Sequence, residues 1–244
     1  MNRPVSVMGY KAVFFDAGNT LLRPYPSVEQ VCAEVFGRSG YEIETQALEE
    51  AIAAGDRFYE ERYWQDDTFW SSEEESAALW IELYTLVAER VGINGDGRRL
   101  AKEIYDEFGS HHRWQLFPDV QSTLQELKDM DVRIGVVSNW DSRLSDLCAG
   151  IGITEYLDFV MCSAVVGRMK PQPDIFHMAL GRAGVSPEET LHVGDHYYAD
   201  VIGARGVGIT PVLIDRTDQV DKADCTTIGD LRSLVGIVQR SRER

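Results

Sequence analysis

The spacing of apolar positions changes character twice along this chain. Near its start Val13, Phe14 and Phe15 form a short continuous apolar run that ends at Asp16, and a Gly18-Asn19-Thr20 turn follows at once. A run of that length bounded by turn residues predicts a buried strand. Pro24 and Pro26 then break the pattern, and up to about residue 111 the apolar residues recur at helical spacing. Val28, Val31, Cys32, Val35 and Phe36 mark a first helix, and further helices are expected near 48–64, 72–91 and 98–108. Leu79, Leu83, Leu86 and Val87 give the third a broad apolar stripe, while Glu73, Glu74 and Glu75 suit the positive end of its dipole. No strand pattern is read between residues 21 and 113.

After Trp114 strands and helices alternate. Strands are predicted at RIGVVSN (133–139), 159–162, LHVGD (191–195) and ITPVLID (209–215). Helices are predicted after Pro118-Asp119, near 142–149, from Pro173, near 199–204 and from about Asp230. Ser186-Pro187-Glu188-Glu189 reads as a helix start, with Ser as cap, Pro in the first position and Glu at the capping-box position. Strands alternating with short helices imply an α/β fold whose parallel sheet is covered on both faces. The expected organisation is a core built from residues 1–20 plus 114–244, with an all-helical insertion at 21–113. That insertion leaves directly from the Asp16 loop, so its most economical role is a lid over it.

With 44% hydrophobic residues among 244, the chain has enough apolar surface for a sizeable core. A formal net charge of -16 argues against a nucleic-acid or anionic-membrane binder, because phosphate backbones demand a surplus of Lys and Arg. A small phosphorylated ligand stays compatible, since local charge and a metal decide that case. Cys32, Cys148, Cys162 and Cys225 are scattered without a C-x-x-C pair, which suits small buried hydrophobes. The start lacks a signal-peptide apolar region and no stretch has the length of a membrane span, so a cytoplasmic protein is expected.

Candidate chemistry gathers where open parallel sheets place it, at the carboxyl ends of the strands. Asp16 ends the first strand, Ser138-Asn139 end the second, Lys170 lies in the loop GRMKPQP, and Asp195 ends LHVGD with Asp200 five residues on. Taken singly, each has an ordinary structural role: a turn carboxylate, a helix cap, a surface lysine, a helix start. Taken in order, the segments KAVFFDAGNTLL, VVSN, MKP and GDHYYAD resemble the motifs of the haloacid dehalogenase-like hydrolases with a helical cap between the first and second motifs. Most members of that family are magnesium-dependent phosphatases, and the likeness spans essentially the whole chain.

The resemblance implies a Rossmann-like core and a hydrolase acting on a small phosphorylated metabolite. Asp16 would be the nucleophile, Lys170 a catalytic lysine that also contacts phosphate, and Ser138 and Asn139 further phosphate ligands. Asp16, the Gly18 carbonyl, Asp195 and Asp200 would form the Mg²⁺ site. Lys170 fits the family's Lys-Pro pattern and Arg168 does not. No nucleic-acid or membrane partner is implied, and the chain is expected as a monomer or homodimer. One departure matters: Gly18 stands where the family usually carries a second Asp, the general acid/base, and glycine can neither protonate a leaving group nor activate water. The competing reading is therefore a binding or regulatory protein on this fold with negligible chemistry. Dehalogenation is disfavoured because GDHYYAD keeps the acidic spacing that the metal-independent dehalogenases typically alter. Phosphonate cleavage would need a cap lysine, and none occurs between Lys11 and Lys102. His111 or His112, at the end of the insertion, could supply the missing proton. Their spacing with other His and Cys residues does not suggest a zinc site. His196, Tyr197 and Tyr198 are candidate pocket-edge residues. Trp64, Trp70, Trp80 and Trp114, with Phe69 and Tyr63, read more readily as helix-packing core than as a substrate slot.

Overall fold

Ala12–Phe15 forms the first strand, β1, and every one of its side chains is buried. The computed structural model describes residues 9–220 and 222–243. Six strands make one parallel sheet in the order β5-β4-β1-β6-β7-β8, with β4 at Arg133–Ser138, β5 at Phe159–Cys162, β6 at Thr190–Gly194, β7 at Thr210–Ile214 and β8 at Thr226–Ile228. β1 lies between β4 and β6, with Phe15 in register with both Val136 and Val193. The chain order therefore reverses at β1, and the carboxyl ends of β1, β4 and β6 face one crevice.

Apolar clusters cover both faces, as an all-parallel sheet requires. On one side Val13, Phe15, Val136 and Val193 pack with α5 (Val120–Asp129) and the C-terminal helix Arg232–Arg242. On the other, Phe14 and Val137 pack with Ile175 and Phe176 of the helix Pro173–Ala183. The expected α/β class and the central strands follow the apolar runs closely.

The segment after β1 carries four long helices: α1 (Val28–Arg38), α2 (Thr45–Gln65), α3 (Glu73–Arg90) and α4 (Gly97–Glu107). They surround an apolar cluster of their own, centred on Phe36, Val87, Leu100 and Ile104. Ser72 caps α3 by accepting from the Glu75 N–H. One expectation is corrected here: residues 21–113 are not free of strand. Leu22–Pro24 forms β2, paired antiparallel with β3 (Trp114–Leu116), so both chain crossings into the helical region are tied into one ribbon. At three residues each, with Pro24 in one, these strands are too short to show a period-two pattern.

Two smaller differences have physical causes. The capping box at Ser186 and Glu189 is present, but it closes a single turn, Pro187–Glu189, because β6 begins at Thr190. The helix expected near 199–204 starts as a wide, π-type turn at Tyr197–Ile202 before tightening at Gly203–Gly206. All four cysteines are free, and burial pushes the Cys32 and Cys148 thiols up to about 12. Among the described residues no helix is long and apolar enough to cross a membrane.

Candidate active site

Asp16, directly after β1, is buried and held through one oxygen. Its Oδ1 accepts from the Ser138 hydroxyl at 3.0 Å and from Lys170 Nζ at 2.6 Å. Among the described residues Oδ2 takes no hydrogen bond from the protein. Lys170 Nζ also donates to Asp200 Oδ1 at 2.6 Å. This ammonium is almost fully enclosed, which a lysine tolerates only when its charge is paired and hydrogen-bonded. Arg168 turns instead toward Asp174 at 3.6 Å on the exposed side.

One glycine-dependent approach helps to build the rest. Asp200 comes so close to Gly194 that a Cβ there would lie 2.1 Å from its carboxyl carbon, so only glycine fits that strand end. Asp200 Oδ2 accepts from the His196 N–H at 3.0 Å. Asp195 is half-buried and accepts from Thr20 at 3.5 Å. Carboxylate oxygens of Asp16, Asp195 and Asp200 all lie within 4.8 Å of one another. Gly18 lines the same cavity, and its carbonyl accepts from the Thr20 N–H.

The electrostatics divide these carboxylates. Burial raises Asp16, against the pull of the Lys170 ammonium. Burial, reinforced by the charges of Asp16 and Asp200, pushes Asp195 up to about 8. Burial would raise Asp200 too, but Lys170 and His192 hold it well below the ordinary carboxylate range. Lys170 is driven above the usual lysine range because the two carboxylates outweigh its burial. Three ionised carboxylates and one ammonium would leave two negative charges. An oxygen-only donor set with that deficit fits a hard divalent cation such as Mg²⁺.

Asn139 lines the cavity, and its side chain has a further part. Its Oδ1 accepts from the Lys170 N–H at 2.8 Å, and its Nδ2 donates to the Lys170 carbonyl at 2.9 Å. The amide thus clamps the lysine loop in place. Ser138 does not cap the next helix, because α6 (Arg143–Ile151) begins beyond its reach. His192 was not foreseen. It sits fully buried on β6 with Nε2 at 2.8 Å from Asp200 Oδ1, and burial lowers its pKa, so the neutral ring donates to that carboxylate. A polar side chain inside the apolar run LHVGD was the available signal, since buried polar groups require partners.

The cavity above these groups has a volume of about 450 Å³ and lies between the sheet crevice and the helices α2 to α4. Trp70, Trp80, Trp114 and Tyr63 line it and at the same time pack in apolar clusters, as does Phe69, so the packing-core reading holds on one side and the cavity on the other; Trp64 is 66% exposed. His196 lines it as well. Tyr197, Tyr198, His111 and His112 are not among its lining residues, so neither histidine of that pair stands where a replacement acid is needed. Gly18 has no left-handed backbone. An added Cβ would meet the Trp140 ring at 3.3 Å, so Trp140 flanks the place where a side chain would project.

A family model for haloacid dehalogenase-like hydrolases matches residues 10–208. The chain belongs to this hydrolase family. It is 35% identical over 147 residues to haloacid dehalogenase-like hydrolase domain-containing protein 3 of Bos taurus, covering 59% of this chain and 58% of that protein. It thus spans little more than half the length of that relative. It is 30% identical over 225 residues to ribulose-1,5-bisphosphate 5-phosphatase of Halopiger xanaduensis, covering 87% and 88% of the two chains. Among solved structures, a HAD phosphatase from Thermococcus onnurineus superposes with a TM-score of 0.64 at 28% identity, over 93% of this chain and 97% of that one.

Proposed function

We propose that this protein is a Mg²⁺-dependent phosphatase acting on a small phosphorylated molecule through a phospho-Asp16 intermediate. The observation that carries the reading is the buried Lys170 ammonium, 2.6 Å from both Asp16 and Asp200 beneath the cavity. Phosphatases among the relatives support it, and so does the cluster of three carboxylates.

Ser138 and Lys170 fix Asp16 through Oδ1, which leaves Oδ2 to attack phosphorus. The P–O ester bond breaks, its electron pair leaves with the substrate oxygen, and Asp16 becomes an acyl phosphate. Water then attacks phosphorus, releasing inorganic phosphate and restoring the carboxylate. Lys170 faces the charge of both carboxylate and phosphoryl group, and Asn139 holds the backbone that carries it. Asp16, Asp195 and Asp200, with the Gly18 carbonyl, would hold Mg²⁺, which when bound neutralises phosphoryl oxygens and aligns them for in-line attack. Gly18 supplies no proton, so the leaving oxygen departs as an anion or takes its proton from solvent. The helical region at 21–113 acts as a cap that selects the substrate and excludes bulk water.

A screen of phosphate esters with Mg²⁺, using Asp16→Asn as the blank, tests this reading. Turnover confined to the unmodified protein is expected, and equal turnover by Asp16→Asn would remove the mechanism.

A further inference from the structure

We infer that the cavity selects phosphate monoesters whose leaving group is a flat aromatic body without a second anionic group. This rests on the phosphatase reading and narrows it to a substrate class.

The first observation is the cavity wall. Six rings run around it in a continuous chain: Tyr59, Trp80, Tyr84, Phe108, Trp114 and Trp140. Neighbouring centroids lie 5.6 Å, 6.1 Å, 6.0 Å, 5.7 Å and 4.9 Å apart. The first three contacts are stacked and the last is edge-on, the arrangements that ring quadrupoles favour. One end of the chain is Trp140, beside Gly18. At the other end the Tyr59 hydroxyl accepts from Trp70 Nε1 at 3.2 Å. A flat ring attached to a phosphate at Asp16 therefore has a continuous band of aromatic residues to pack against.

The second observation is charge, and it is independent of the rings. The basic residues lining the cavity, among those described, are Arg143, Lys170 and His196. Lys170 is committed to Asp16 and Asp200 at the phosphate end. His196 follows Asp195 directly in the chain, and its Nδ1 accepts from the Ala199 N–H. Arg143 grips Asp141 through Nε and Nη2, donates Nη1 to the Tyr105 carbonyl at 2.7 Å, and lies 3.8 Å from the Tyr105 ring centroid. Arg143 and Lys170 are therefore not free to receive a carboxylate or second phosphate on the remote part of a substrate, and His196, whose Nε2 is uncommitted among the described residues, stands next to Asp195 at the phosphate end. Asp56 lines the cavity on the Tyr84 side and would repel one. An anion there would meet no free ammonium or guanidinium among the described residues, and the hydroxyl of Tyr63, buried without a partner on the cavity wall, offers it only a neutral donor, a cost that an uncharged ring avoids.

Gly18 agrees with both. An aryloxide is a stable enough anion to leave without a proton, so the missing acid matters least for this class.

The test measures affinity by calorimetry in Mg²⁺ for three non-hydrolysable probes of the phosphate end: 2-naphthylmethylphosphonate, propylphosphonate and 2-carboxyethylphosphonate, with inorganic phosphate as reference. The naphthyl probe should bind about tenfold or more tighter than the propyl probe, the scale of one to two ring contacts. The carboxyethyl probe should bind more weakly than both. In Trp80→Leu, or in Tyr59→Leu should the first not fold, the naphthyl-to-propyl ratio should fall several-fold. A carboxyethyl probe that binds as well as the naphthyl one would overturn the inference, as would a wild-type ratio near one or a ratio insensitive to both substitutions. If inorganic phosphate binds while the aromatic preference is missing, only this inference falls. If neither phosphate nor any probe binds, the phosphatase reading falls with it.

Discussion

Replacing Lys170 by Met removes the one ammonium that joins Asp16 to Asp200, while keeping most of the side chain's bulk. The structure sets the size of the effect. Lys170 is 1% exposed, and both ion pairs are 2.6 Å long and enclosed. Breaking a buried pair by removing one partner typically costs about 3–5 kcal/mol, because the remaining charge has no compensation. Here the cost should depend on pH. In the wild type Lys170 helps to hold Asp200 below its ordinary range, so that carboxylate contributes stability above its unfolded pKa and loses it only in acid. Without the ammonium, the pKa values of Asp16 and Asp200 rise, and a raised carboxyl stabilises the fold at low pH and loses that contribution as pH climbs. The stability gap between the two proteins should therefore widen by about 1.4 kcal/mol per pH unit for each extra proton the variant holds when folded. Urea unfolding of both proteins in EDTA at pH 5 and pH 8 measures this. A gap of several kcal/mol at pH 8 that shrinks markedly at pH 5 is expected. An equal gap at both pH values would refute the charge-pairing account of Lys170 and leave only lost packing.

Asp195, pushed up to about 8, should make Mg²⁺ binding proton-coupled: affinity rises from pH 6 to pH 8, and calorimetry in buffers of different ionisation enthalpy shows proton release. Asp195→Asn should bind Mg²⁺ about tenfold or more weakly and lose that proton release, and equal binding would take Asp195 out of the site. Gly18→Asp should raise turnover of alkyl phosphates by up to about 10²-fold and that of aryl phosphates far less, because the backbone is not left-handed and only Trp140 must yield. A gain that is equal for both ester classes would argue against an acid role for the introduced carboxyl. Asp119→Ala should destabilise by about 3 kcal/mol in urea unfolding, since Asp119 is buried against Arg216, which in turn donates to the Thr20 carbonyl behind the Asp16 loop. A loss under about 1 kcal/mol would show that this pair does not anchor the loop.

What could be read from the chain alone depended on the length of each signal. Val13 to Phe15 and the run into Ser138 were legible because a fully buried parallel strand is continuously apolar and ends at a turn. Asp16 and Asp195 were legible because each directly follows such a strand, and Lys170 and Asp200 joined them because MKP and the spacing in GDHYYAD resemble the family's motifs in the same order. β2 and β3 were not, since three residues carry no period and Pro24 argues against a strand. Asn139 was legible as a residue of the strand-end motif, but not as a clamp on the Lys170 peptide 31 residues away, a pairing that local sequence does not encode. Trp80 and Trp114 were legible as packing residues, which they are, but not as cavity lining, because one helical stripe serves a filled core and a hollow one equally. Only the placement of α2 to α4 against the crevice decides between them.

The central claim is that Asp16 accepts the phosphoryl group. The most direct measurement mixes protein and Mg²⁺ with a molar excess of 4-nitrophenyl phosphate, quenches in acid within the first turnover, and analyses the peptide carrying Asp16 by mass spectrometry. The account requires a fraction of that peptide to carry one phosphoryl group on Asp16, lost on treatment with hydroxylamine and absent in Asp16→Asn. Release of 4-nitrophenol at the same rate from Asp16→Asn, with the peptide never modified, would contradict it.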